Sequence, residues 1–264
     1  MYVPATTHYT GFLDLHDLEW GKAGLWAVNT SFSCLSLIGG DHGFEPKWQP
    51  FFIDEIEPSD QCHLNGLAME NGSPRYVSAF GQTSTPRGWS ENAESSGCLI
   101  DVTTATVLAD GLPMPHSPRI HRGRLFALLS ATGELIEINR QTGEIETLCQ
   151  LGGFVRGLSF LGDYAFVGLS KFRKKFRTFR NIQITPQAID CGVAIVHLPS
   201  NREVGRMKYD SEVNEIFDVK ILPNHRRTLL LGPGSDESEC IITSPMCDFW
   251  RTPDQEPSEY SEAG

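Results

Sequence analysis

Apolar residues in this chain come in short runs broken by glycine, proline, asparagine and charged side chains. "GLWAVNT", "RYVSAFG", "GCLIDVTT", "RLFALLS", "GELIEINRQTGEIETL", "YAFVGLS" and "CGVAIVHL" have the length and the β-branched or aromatic content of strands. No segment repeats its apolar positions at helical spacing over the length of a helix. The pattern predicts an all-β fold.

The runs also recur in a fixed order. A unit opens on a polar residue and a strand such as "NGLAM", passes a glycine turn into a strand such as "RLFALLS", and continues through "GELIEIN" and "RQTGE" to "IETLCQL". The stretch from His116 to Phe154 shows all four parts, with Thr142-Gly143 suited to a tight hairpin turn. "HDLEWGKAGLWAVNTSFSCLSLIG", "NGLAMENGSPRYVSAFG" and "RGLSFLGDYAFVGLS" open other copies, and "EIFDVKILPN" opens a fifth that is never completed. Four strands per unit, repeated radially, is the pattern of a β-propeller, whereas a stacked sandwich would not explain the repeated order. The expectation is four recognisable blades and part of a fifth over residues 1–231, followed by an acidic, disordered tail over 232–264.

Aligned on one another, the opening strands begin near Asp17, Gly66, Ser117, Gly157 and Asp218. Just before them stand Asp14 and His16, then His63 and Asn65, His116, Arg156, and Glu215. The residues between, Leu15, Leu64, Pro115, Val155 and Ile216, are apolar. Side chains of one parity share one face of a strand. The first strand of a propeller blade lines the central channel, so a polar ring at one channel mouth is expected.

Composition narrows the class. The chain has 264 residues, is 40% hydrophobic, and contains no apolar run approaching a membrane span. Its start, "MYVPATTHYTG", lacks the basic and apolar parts of a signal peptide, which points by default to the cytoplasm. Seven cysteines without a C-x-x-C pair read as buried thiols in a reducing compartment rather than a zinc site. The net charge of −11 is concentrated in the tail from Gly232 and argues against nucleic acid as the main partner. One basic run, "SKFRKKFRTFR" from Ser170 to Arg180, reads as a solvated insertion between strands, or as a contact for an acidic partner, RNA, a membrane surface or the chain's own tail.

The motifs "DLHDLEW", "LWAVNTSFSCLS", "QCHLNGLAM", "GLPMPHSPR", "RGLSF", "FVGLS" and "NEIFDVKILP" resemble, in order and spacing, an uncharacterised bacterial family of conserved hypothetical proteins thought to be propellers. The resemblance brings no established activity. Its members carry a further N-terminal stretch of about blade size, which implies a ring incomplete at the N-terminus with open sheet edges. "HLNGLA" is also similar to the strand openings of gluconolactonase-type and strictosidine-synthase-type propellers. That likeness implies calcium held by Asn65 and a glutamate such as Glu215, although three histidines are foreign to it.

The ring supports three chemistries. His16, His63 and His116 with Glu215 are one possible donor set for a divalent metal. The same side chains could instead hydrogen-bond between blades. Or Asp14, His16, Asn65, Arg156 and Glu215, helped by Trp48 and Trp89 on inserted loops, could bind a small polar ligand directly. In an enzyme, His63 or His116 would be the general base and Arg156 would hold an anionic group, giving a metal-dependent hydrolase, lactonase or lyase. The expectation is binding or turnover of a small polar molecule at the channel mouth, with a protein-interaction scaffold as a further alternative and enzymatic activity left open.

Overall fold

The computed structural model describes residues 1–171, 191–210 and 212–251. Within the unit Thr10–Ile221 it contains four four-stranded antiparallel sheets, each built from consecutive strands in chain order. The first blade is β1 (Leu15–Gly21), β2 (Gly24–Asn29), β3 (Cys34–Ile38) and β4 (Glu45–Trp48). The second is β5 (Leu64–Glu70), β6 (Ser73–Ala79), β7 (Gly97–Asp101) and β8 (Thr106–Leu112). The third is β9 (Pro115–His121), β10 (Arg124–Leu129), β11 (Glu134–Ile138) and β12 (Ile145–Gln150). The fourth is β13 (Phe154–Leu161), β14 (Tyr164–Ser170), β15 (Gly192–His197) and β16 (Arg202–Lys208). The first strands touch in succession, β1 against β5, β5 against β9 and β9 against β13. Sheets of this order, joined along their first strands, make a β-propeller.

Turn chemistry fixes the registers. Asn71-Gly72 and Arg122-Gly123 each link the first two strands of a blade, and both residues of each pair have positive φ, at 53° and 78° and at 50° and 79°. A two-residue turn of that kind matches the twist of the strands it joins, and glycine takes the second position without strain.

Burial explains why the middle strands read as nearly unbroken apolar runs. Successive side chains of β6, β7 and β10 face opposite neighbours. Val77, Ala79, Cys98 and Ile100 pack with Val28 and Leu35 of the first blade. Tyr76 and Leu99 pack with Leu125, Ala127 and Ile136 of the third. Phe126 and Leu128 pack with Leu158, Val167 and Ala194 of the fourth. A blade covered on both faces needs apolar residues at both parities. Trp48, expected on an inserted loop, ends β4 and packs into the core between the first two blades.

The expected fifth opening contains no regular strand but keeps its place. Lys171 donates its backbone N–H to the Asn214 carbonyl at 2.9 Å, Ile216 donates to Ser170 Oγ at 2.9 Å, and Ile221 donates to Ser159 Oγ at 3.2 Å. Lys220 pairs with Glu19 of β1. Residues 214–221 therefore run between the first strands of the fourth and first blades.

The second unit comprises Met1–Tyr9 and Leu222–Gly264. Tyr2 bridges Leu230, Ser235 caps a helical turn at Asp236–Glu239, and β17 (Ile241–Thr243) pairs with β18 (Asp248–Trp250). Of the expected tail, residues 252–264 lie outside the described residues, as does the basic run after Lys171. All seven cysteines are free thiols; Cys34, Cys62, Cys98, Cys191 and Cys240 are buried.

Candidate functional site

Each of the four first strands breaks register near its start, and β5 does so a second time between Ala68 and Met69. The breaks near the start fall between Leu15 and Leu18, Leu64 and Gly66, His116 and Arg119, and Val155 and Leu158. His16, Asn65, His116 and Arg156 lie in or beside these bulges, devices that re-aim side chains where a strand must present them. The aligned openings read from the sequence correspond to this repeated irregularity.

Three imidazoles are oriented by their own blades. His16 Nδ1 lies 3.0 Å from the Asp14 carbonyl and 2.8 Å from Thr30 Oγ1. His116 Nδ1 lies 3.0 Å from the Met114 carbonyl and 2.6 Å from Ser130 Oγ. His63 Nδ1 meets both oxygens of the Asp60 carboxylate at 3.2 Å. Thr30 donates its hydroxyl to Leu64 O and Ser130 donates to Val155 O, so neither proton is free for a ring nitrogen. All three rings therefore carry a proton on Nδ1, and in a neutral ring so held Nε2 is the lone-pair acceptor. No Nε2 of the three hydrogen-bonds to another described residue.

The same hydroxyls join the blades. Thr30 and Ser130 follow the second strand of their blades, Ser170 ends its own, and all three bond the carbonyl of the next opening, at Leu64, Val155 and Ile216. The second blade has Phe80 in that place. Its ring packs against His63 at 4.6 Å, against His116 at 5.1 Å and against Trp89 at 5.6 Å. Trp89, the buried residue of the turn Gly88–Glu91, also contacts His63 at 4.2 Å and donates Nε1–H to Asp60 Oδ2 at 3.1 Å. His16 and His63 meet edge to face at 4.7 Å.

Arg156 completes the cluster. It is 8% exposed, and its guanidinium stacks on Phe217 at 4.2 Å. Among the described residues its side chain makes no hydrogen bond or ion pair. Burial pulls its pKa below the ordinary guanidinium value, and Glu215, Asp17, Asp14 and Asp218 oppose that shift without reversing it. Burial, His63 and Arg156 lower His16 to a pKa of about 4; burial and Arg156 also hold His116 well below its usual value. These two imidazoles are neutral near pH 7.

One layer further along the opening strands, Arg119 spans the axis. It donates to Asp17 Oδ2 at 2.7 Å and Oδ1 at 3.1 Å and to the Leu67 carbonyl at 2.7 Å, and it lies 3.6 Å from Asp218. Asp17 Oδ2 also accepts from Leu67 N–H at 3.0 Å. This buried pair forms a floor beneath the mouth.

The ring expected from sequence is thus brought together at His16, His63, His116 and Arg156. Asp14 stands 3.8 Å from His16 Nδ1, and the charge of Glu215 acts on Arg156. Asn65 is 3% exposed, and its Nδ2 has no partner among the described residues. The metal donor set is not gathered: among the described residues no three His, Cys, Asp or Glu side chains are arranged to hold one ion. Phe80 packs against both His63 and His116. Ser117 accepts from Gly157 N–H at 3.0 Å, a blade contact and not part of a catalytic triad.

Sequence reasoning missed Asp60, Thr30, Ser130, Phe80 and the Asp17–Arg119 floor. A signal for two of them was present: a hydroxyl stands 14 residues after both His16 and His116.

Known structures share low identity with the chain. The designed protein Ika8 aligns at 10% identity over 80% of this chain and 53% of its own, with a TM-score of 0.43. Kuenenia stuttgartiensis hydrazine synthase aligns at 12% over 79% and 53%, with a TM-score of 0.44. A protein of unknown function from Bacteroides caccae aligns at 16% over 74% and 60%, with a TM-score of 0.43. The chain thus spans between half and two thirds of each of these proteins. No curated protein matches it. Among the described residues no helix is long and apolar enough to cross a membrane. Residues 1–231 match the domain of unknown function DUF4915, and the chain belongs to that family.

Proposed function

We propose that this propeller binds a small anionic molecule at the mouth lined by His16, His63, His116 and Arg156. The observation that carries the reading is Arg156, a buried guanidinium without a hydrogen-bonded counter-ion among the described residues. Burying a cation without a partner is costly, and a bound carboxylate or phosphate would offset that cost through the two-pronged hydrogen bonding guanidinium favours. Asp14 and Glu215 frame the site, and Phe80, Phe154 and Phe217 supply apolar walls, as in most small-molecule sites. Isothermal titration of the full chain with carboxylates and phosphate tests the reading. Binding that is lost in Arg156→Met supports it, and equal binding in the variant overturns it.

A second reading, turnover of the bound anion, is favoured by Asp60. A carboxylate on Nδ1 of His63 orients the ring and strengthens Nε2 as a base, the relation that supports general-base catalysis in hydrolases. Turnover of anionic esters or lactones that falls at least tenfold in Asp60→Asn, with ligand binding kept, would support it. Undiminished turnover in that variant would exclude the role.

A further inference from the structure

We infer that the ligand is a hydroxylated anion, a hydroxy acid rather than a simple carboxylate. The inference rests on the anion-binding reading and follows from the donor and acceptor inventory of the mouth. Three rings spend Nδ1–H on their own blades: His16 on Asp14 and Thr30, His116 on Met114 and Ser130, His63 on Asp60. Each then offers one acceptor, Nε2, with no partner among the described residues. Arg156 offers only donors. A ligand that satisfies this set needs an acceptor anion for the guanidinium and hydroxyl donors for the imidazoles.

A bare dicarboxylate would fail at the imidazoles. Its oxygens would face nitrogen lone pairs, and burial together with Arg156 disfavours protonating His16 and His116 to receive them. A neutral polyol would fail at Arg156, leaving the guanidinium without a hydrogen-bonded anion. The aromatic side chains suit such a molecule: Phe80 and Trp89 beside His63, and Phe154 beside His116, present ring faces and edges to its carbon skeleton.

Three four-carbon probes separate the requirements: tartrate, succinate and erythritol. They share a skeleton and differ in charge and in hydroxyl groups. Titration of the full chain at pH 7.5 is expected to give tartrate a dissociation constant roughly tenfold or more below that of succinate, from two added hydrogen bonds, with erythritol weaker than either. Arg156→Met is expected to abolish binding of both acids. Equal affinity for tartrate and succinate would overturn the hydroxyl requirement while leaving the anion reading intact. A tartrate preference that persists in Arg156→Met would place hydroxyl recognition elsewhere and overturn the inference. Binding by none of the three would sink both it and the anion reading.

Discussion

Thr30 at the end of the first blade's second strand donates its hydroxyl to the carbonyl of Leu64 in the next blade, 2.6 Å away. The same hydroxyl sits 2.8 Å from His16 Nδ1, so one oxygen both orients a site residue and joins two blades. Ser130 does the same for His116 and Val155. Site geometry and blade packing are therefore one construction.

Thr30→Val and Ser130→Ala each leave the carbonyl of the next blade without its hydroxyl donor and the imidazole N–H with one acceptor, the Asp14 or Met114 carbonyl, in place of two. Each is expected to lower stability by about 1–3 kcal/mol. Urea unfolding with an unchanged m-value checks this. A midpoint equal to that of the parent protein would show that the bridges contribute nothing.

Arg156→Met is expected to act in the opposite direction. It removes a buried charge without a hydrogen-bonded partner and keeps a long side chain over Phe217. The ligand-free protein should gain on the order of 1 kcal/mol while losing anion binding, the exchange of stability for function typical of binding sites. Thermal unfolding with and without ligand separates the two effects. A marked loss of stability would mean that Arg156 is a structural tie.

Stability should fall on mild acidification. His16 has a folded pKa of about 4 against an ordinary value near 6.5, and His116 is lowered too. The unfolded chain therefore binds more protons than the folded one between those values. Stability rises with pH across the window, and on acidification it is lost from about pH 6.5 down toward pH 4. Each imidazole contributes a slope of up to about 1.4 kcal/mol per pH unit. His16→Gln should flatten the profile measured by chemical denaturation; an unchanged profile would show that His16 is not responsible.

The floor predicts the largest loss. Asp17→Ala leaves Arg119 buried without its main carboxylate and also removes an acceptor from Leu67 N–H. Breaking a buried pair in this way costs about 3–5 kcal/mol. A loss under about 1 kcal/mol, again by denaturant unfolding, would mean that Asp218 and Glu19 substitute for it.

The parts legible in the sequence were those that repeat along it. The strand runs, the two-residue turns and the aligned openings at His16, His63, His116 and Arg156 belong to a period, and a period needs no knowledge of neighbours. Asp17 and Arg119 are 102 residues apart and meet only because successive blades come round a common axis, so no local pattern announces them. Phe80 was hidden for another reason. It looks like one more apolar strand residue, and only the folded chain shows it packed against two imidazoles. Asp60 precedes the second opening by a few residues and was passed over because no other blade has its equivalent.

The guanidinium of Arg119 has a consequence for assembly. From the third blade it reaches a carboxylate of the first and a main-chain oxygen of the second, so three sheets share one side chain as a keystone, and a change there loosens all three together rather than one by itself.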